Sequence, residues 1–299
     1  MKLGYVGLGK MGFSMVERLL EKGHEVVAYD RSPDAITSVK SKGAQSAESP
    51  TALVAMLPLP RLIWVMVPHQ AVDSVLNELA PNLAKGDVVI DGGNSPYKDS
   101  IRRCREMEAK GVDFLDAGVS GGPAGARTGA CIMVGGRNEV FQKFEQVFRD
   151  LSVPDGYGYM GRSGAGHFVK MVHNGIEYGM MEALAEGFAV LKASPFQLNL
   201  PQVADLYNHR SVIESRLVEW LQQAYEKYGD DLNEISGSAA QSGEGAWTVQ
   251  AGNELGVPVP IIEGALDFRI RSQNSPSYTG KIISAMRHQF GGHEVKAKK

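Results

Sequence analysis

KLGYVGLGKMGFSMVERLLEKGHEVVAYDRS, residues 2–32, decides the fold. A short apolar run leads into Gly7, Gly9 and Gly12 with the spacing G-x-G-x-x-G. An amphipathic helix follows and ends at Gly23, and a second apolar run, EVVAYD, closes on Asp30. Taken alone, three glycines mark no more than a loop. Lying between a strand and a helix, with an acidic residue 18 positions after the last of them, they meet the full context of a dinucleotide-binding βαβ unit.

The physical demands on these positions differ. Gly7 allows a tight turn, Gly9 lets backbone approach a pyrophosphate, and Gly12 lets helix pack on strand. Unsatisfied N–H groups at the start of the helix receive the anion. The whole turn, Gly7, Leu8, Gly9, Lys10, Met11 and Gly12, is therefore expected to bind cofactor. The Asp30 carboxylate would accept hydrogen bonds from ribose hydroxyls and repel a 2'-phosphate, which favours NAD. Arg31 follows at once and would tolerate a phosphate, so NADP stays open as the less favoured cofactor.

Outward from this unit the pattern repeats. LIWVMVP (62–68) reads as a buried strand, AVDSVLNELAPNL (71–83) as a helix, DVVIDGGNS (87–95) as a strand running into a turn, and SIRRCREMEAKG (100–111) as a helix stopped by Gly111. The stretch 112–136 reads as two short strands around a second glycine-rich loop. Alternation of this kind implies a Rossmann-like, doubly wound, mostly parallel sheet with ligands at the carboxyl ends of its strands. Three loops would gather there: Val67 to Gln70, Gly92 to Ser95, and Ser120 to Gly125. Asn94 and Ser120 offer short polar side chains, and Gly121 and Gly122 allow backbone amides to approach a carboxylate.

From residue 164 the character changes. GAGHFVKMVHNGIEYGMMEALAEGFAVL (164–191) runs without proline and predicts one helix of more than seven turns. At 100° per residue Lys170, His173, Asn174 and Glu177 share an arc of about 100°, with Tyr178 just beyond it. Phe168, Val169, Val172 and Ile176 point away from the arc, which predicts burial on most sides and one polar face in a cleft. The same spacing is also that of a solvated face with weak ion pairing. Beyond Pro195, residues 201–211, 213–229, 246–256, 260–273 and 281–291 read as consecutive helices with no strand pattern. Two domains follow: residues 1–163 for the dinucleotide, and an all-α substrate and oligomerisation domain over 164–299. Arg269 in an apolar helix, Arg287 and His293 are candidate anion-binding side chains, and the tail after them reads as irregular.

Composition narrows the function. The chain has 299 residues, 43% hydrophobic and 22% charged, which is ordinary for a globular protein. A net charge of -3 leaves no basic footprint for nucleic acid. Cys104 and Cys131 are too few and too far apart for a disulfide framework or a metal site, so no metal and a cytoplasmic location are expected. No apolar run is long enough to span a membrane, and no signal peptide is evident.

GLGKMG at residues 7–12, DGGNS at 91–95, VSGG at 119–122 and KMVHNGIEYG at 170–179 together resemble the 6-phosphogluconate dehydrogenase family of the β-hydroxyacid dehydrogenase superfamily. GEGAWT (243–248), Arg269 and RHQFGGH (287–293) extend the match over nearly the whole chain, at the size of the short form with one helical unit. The resemblance implies oxidative decarboxylation of 6-phospho-D-gluconate to D-ribulose 5-phosphate and CO2, with hydride passing to a nicotinamide cofactor. It implies Lys170 as general base and Glu177 as general acid. It also implies substrate contacts from Asn94, Ser120, Gly121, Gly122, His173, Asn174, Tyr178, Thr248 and Arg269, with Asn94 and Val67 near the cofactor as well. Arg287 and His293 match a tail that reaches a neighbouring subunit's site in the family, implying a homodimer or homotetramer. For their roles, Lys170 would need its pKa lowered and Glu177 its pKa raised. Two departures stand out: Ala246 where long forms place a lysine, and Val67, Pro68 and His69 where they carry V-K-A-G. A non-decarboxylating β-hydroxyacid dehydrogenase and a non-catalytic NAD-binding regulator remain as alternatives.

Overall fold

The computed structural model describes residues 1–292 and 295. Its contacts divide the chain into two compact units, Met1–Met171 and Val172–Lys299. The division falls inside the long helix, so Lys170 belongs with the first unit.

In the first unit, strands and helices alternate as β1 (Lys2–Val6), α1 (Lys10–Glu21), β2 (Glu25–Tyr29), α2 (Pro33–Ser41), β3 (Gln45–Ser46), α3 (Pro50–Ala55), β4 (Leu62–Val65), α4 (His69–Leu79), β5 (Val88–Asp91), α5 (Tyr97–Glu108), β6 (Asp113–Ser120), α6 (Gly122–Thr128), β7 (Ala130–Gly135), α7 (Asn138–Lys143), α8 (Glu145–Leu151) and β8 (Ser152–Gly161). One eight-stranded sheet results, in the order β3-β2-β1-β4-β5-β6-β7-β8. Every pairing is parallel except β6 with β7. The order reverses between β1 and β4, and a ligand crevice in such a sheet lies outside the carboxyl ends of the strands at that reversal.

Alternation along each strand feeds two cores, one on either face of the sheet. Leu3, Tyr5, Leu62 and Trp64 point to one face, where Trp64 stacks on Tyr5 and meets Phe148 of α8. Val6, Val27, Ile63 and Val65 point to the other, against α3, α4 and α5. The expectation of a plain loop over residues 120–125 is corrected, because α6 begins at Gly122, with Pro123 in its first turn. Proline is well placed there, since the first helical N–H groups have no intrahelical partner.

The long helix is α9 (Ala165–Ala193). Its N-terminus is fastened by buried Asp116 of β6, whose two carboxylate oxygens accept from Gly164 N at 2.7 Å and His167 N at 2.9 Å. The expectation that Val169 and Ile176 are buried is overturned: both are exposed, Ile176 to 53%. Lys170 and Glu182 are buried instead, at 9% and 7%. Glycine makes this inversion possible. A Cβ at Gly118 of β6 would lie 2.3 Å from the Lys170 Cβ, so the bare backbone of Gly118 is what admits the lysine stem.

The second unit continues with α10 (Leu200–Tyr207), α11 (Arg216–Tyr228), α12 (Glu244–Leu255), α13 (Pro260–Ser272) and α14 (Tyr278–Gly291). Its core gathers Met181 and Phe188 of α9, Leu221 and Tyr225 of α11, and Ile282, Ile283 and Met286 of α14. Among the described residues, no helix is long and apolar enough to cross a membrane.

Candidate active site

A cavity of ≈ 310 Å³ lies at the carboxyl ends of β1, β4 and β5, where the strand order predicts one. Gly9, Lys10, Met11, Gly12, Met66, Val67, Gly92, Gly93, Asn94, Val119 and Lys170 line it. Three fingerprint glycines have separable duties. Gly7 holds φ +102, and a Cβ there would strike the Met66 carbonyl oxygen at 2.3 Å. A Cβ on Gly12 would strike the Gly7 carbonyl oxygen at 2.1 Å. Gly9 has no atom within 4 Å of that position, so the fold does not itself require glycine there.

The start of α1 has no side-chain cap and no acidic residue in its first turn, so its positive dipole end favours an anion. Asp30 sits one residue past β2, with Oδ2 accepting from Leu8 N at 2.6 Å and Oδ1 from Ser32 N at 2.8 Å. Each oxygen keeps a second lone pair for a ribose hydroxyl. An open glycine, an uncapped helix start and a fixed carboxylate fit a dinucleotide. Arg31 is exposed beside them.

Of the loops expected to meet at the strand ends, those at Val67 and at Gly92 to Asn94 line the cavity with Lys170. Ser120, Gly121 and Gly122 do not line it; they follow Val119, which does. Gly93 falls in the expected Gly92 to Ser95 loop and Val119 opens the VSGG stretch, whereas Met66 and the supporting Gly118 were not singled out from the sequence. For Gly118 the only available signal was its place one residue before the VSGG stretch.

The second unit holds a different cluster. Arg269 of α13 is buried, and its guanidinium lies 3.3 Å from the centre of the Tyr178 ring. Its Nη2 reaches the Met181 sulfur, at 3.5 Å, and its Nε has no partner among the described residues. Burial lowers the pKa of Arg269 and of Arg287, and Tyr178 and Glu177 act on both against that. Arg287 is buried on α14. His293 lies outside the described residues.

Thr248 of α12 packs directly on α9, since a Cβ on Gly175 would stand 2.6 Å from its methyl group. His173 Nδ1 is 3.0 Å from Asn174 Oδ1 and 3.8 Å from Glu177 Oε2. Ala246 joins Tyr178, Ala265 and Leu266 in a small apolar group, so the position where long forms place a lysine is filled by packing here. Glu182, one turn beyond Tyr178 on α9, is buried with neither carboxylate oxygen partnered among the described residues, and desolvation pushes its pKa up to about 7. That residue also went unread in the sequence. Among the described residues, no group of three or more His, Cys, Asp or Glu side chains could hold a metal ion.

Known proteins resemble this arrangement over its whole length. Residues 2–161 match the family model described as the NAD binding domain of 6-phosphogluconate dehydrogenase, and residues 166–279 match that of its C-terminal domain. The chain is 46% identical over 298 residues to the Bacillus subtilis protein YqeC, covering all of both chains. It is 43% identical over 300 residues to the Haloferax volcanii 6-phosphogluconate dehydrogenase described as NAD(+)-dependent and decarboxylating, covering all of this chain and 99% of that one. Among solved structures, Plasmodium falciparum 6-phosphogluconate dehydrogenase superimposes with a TM-score of 0.83 at 29% identity, over 92% of this chain and 62% of that one.

Proposed function

We propose, from the premise that this chain belongs to the 6-phosphogluconate dehydrogenase family, that Lys170 and Glu177 divide the acid and base work of its reaction. The chain is a decarboxylating 6-phosphogluconate dehydrogenase with NAD as cofactor, converting 6-phospho-D-gluconate to D-ribulose 5-phosphate and CO2. The observation that carries the assignment of roles is Lys170 itself, a buried lysine lining the same cavity as the glycine turn.

When bound, the nicotinamide ring supplies the hydride acceptor for C3 of the substrate. Lys170 Nζ takes the proton of the C3 hydroxyl, and the resulting ammonium donates to the new ketone oxygen as CO2 leaves from C1. Glu177 then delivers a proton to the former C2, which becomes C1 of ribulose 5-phosphate, while Lys170 recovers its proton from the enol oxygen. Seven residues separate the two groups on one helix, about 10 Å of rise, enough for them to serve different carbons of one sugar acid.

Asn94, Ser120, Gly121, Gly122, His173, Asn174, Tyr178 and Thr248 are the proposed contacts along the substrate. The unpartnered Nε of buried Arg269, with Arg287 beside it, makes the two arginines the proposed seat of its phosphate. The glycine turn, Asp30, Arg31 and Val67 are the proposed cofactor contacts. We further propose a cytoplasmic homodimer or homotetramer.

Glu177→Gln tests the division of labour. Ribulose 5-phosphate formation should fall by about 10²- to 10⁴-fold while 6-phosphogluconate binding changes little. Wild-type rates of ribulose 5-phosphate formation in that variant would overturn the role of Glu177.

A further inference from the structure

Arg103 of α5 is 1% exposed and touches nothing in the cavity, yet its guanidinium joins two of the loops that line it. Nη1 donates to Asp91 Oδ2 and to Ser95 Oγ, both at 3.2 Å. Nη2 donates to the His69 carbonyl oxygen at 3.1 Å, and Nε to Asp73 Oδ1 at 2.7 Å. Asp91 ends β5 and Ser95 closes the turn after it, so the lining residues Gly92, Gly93 and Asn94 lie between two clamped ends. His69 opens α4 directly after the turn that carries the lining residues Met66 and Val67.

The clamp is tightened from within. Ser95 Oγ donates to Asp91 Oδ2 at 2.8 Å, and Gly93 N donates to Asp91 Oδ1 at 3.1 Å. The loops touch each other closely, since a Cβ on Gly93 would stand 2.7 Å from the Val67 carbonyl oxygen. With so little slack, the direction in which each loop leaves its strand is governed by the four bonds of one planar cation. Because Arg103 grips the turn at 67–69 through a backbone carbonyl, the departure there from the long forms leaves the grip intact.

We propose that Arg103 is a positioning residue that sets the separation of the 66–69 and 91–95 loops and thereby the affinity for NAD, an inference that rests on reading this cavity as the cofactor site. Neutralising buried Asp91 is a purely structural duty that any cation would fulfil. Holding four acceptors at once requires the flat fork of a guanidinium, which an ammonium lacks.

Arg103→Lys separates the two duties when NADH binding is measured by fluorescence, without substrate and well below the melting temperature. Binding should weaken about tenfold or more, because small misplacements of contact loops carry effects of that size. Ser95→Ala, which removes one arm and leaves the charge pair, should weaken it about threefold. Arg103→Lys that folds and binds NADH like wild type, whatever its melting temperature, overturns the proposal. If Arg103→Lys does not fold, Ser95→Ala decides: weaker NADH binding supports the clamp, and unchanged binding overturns it. Wild-type turnover of 6-phosphogluconate is followed alongside. Its absence would break the functional reading, whereas failure of the clamp leaves wild type active and the variants indistinguishable from it.

Discussion

In the first unit every large buried carboxylate is answered from nearby. Asp91 has Arg103, Ser95 and Gly93 N; Asp116 has Gly164 N and His167 N; Asp87 has the Arg61 guanidinium and the amides of Arg61 and Ala84. In the second unit Arg269 and Glu182 are as deeply buried, but Arg269 Nε and both Glu182 oxygens have no partner among the described residues. The first unit uses these buried carboxylates to hold loops and a helix end around the cavity that Lys170 lines. The second keeps a buried cation with an unpartnered Nε, an unfavourable state for the free protein that a bound anion would relieve. Preorganised frame and stored binding capacity are thus assigned to different halves of the chain.

Substituting Arg269 probes this contrast with the largest expected effect. Arg269→Met keeps length and apolar stem while removing the donors. It should raise KM for 6-phosphogluconate about 100-fold, the worth of two or so charge-assisted hydrogen bonds. Its stability in urea should equal or exceed wild type, because a buried guanidinium that has the Tyr178 ring beside it but an unpartnered Nε is replaced by a packed apolar side chain. A loss of stability comparable to breaking a paired carboxylate of the first unit would erase the contrast.

How far the sequence revealed these halves follows the same division. The first βαβ unit was legible because Gly7, Gly12 and the strand-helix alternation are local requirements, written in consecutive residues. The second-half helices were legible from 3.6-residue periodicity. Strand β8 was not, since Pro154 and the glycines at 156, 158 and 161 argue against a strand; as the edge of the sheet it tolerates them. Arg103 looked like any charge in a helix sequence, because its acceptors come from residues 69, 73, 91 and 95 and only the fold assembles them. On α9 the polar stripe was visible, but its burial was not. Which face of that helix is covered depends on bare positions such as Gly118 in another element, and Glu182 lies outside any recognisable motif.

Gly9→Ala sharpens the comparison from the first unit's side. Since nothing occupies the space around its missing Cβ, the added methyl should leave the melting temperature near wild type. It would intrude on a cavity-lining surface and should raise KM for NAD about tenfold, or about 1.4 kcal/mol. A marked drop in melting temperature with unchanged KM for NAD would show that Gly9 serves the frame and not the ligand.

Glu182→Gln carries the smallest effect and tests the second unit's unanswered carboxylate directly. Desolvation raises the Glu182 pKa from 4.5 to about 7, with Glu186 adding to the rise and Arg269 and Arg271 opposing it. Between those two values the folded chain holds a proton that the unfolded chain has released. Stability therefore falls as pH rises through that window and levels off above it. The amide carries no such proton, so Glu182→Gln should show a flatter stability profile from pH 5 to 7. Above pH 7 it should be more stable than wild type by at most about 3 kcal/mol, the ceiling set by the pKa difference. Urea titrations at pH 5 and pH 8 measure both quantities. An identical fall in wild type and variant would mean that the carboxyl is answered after all, and that the second unit, like the first, compensates its buried charge.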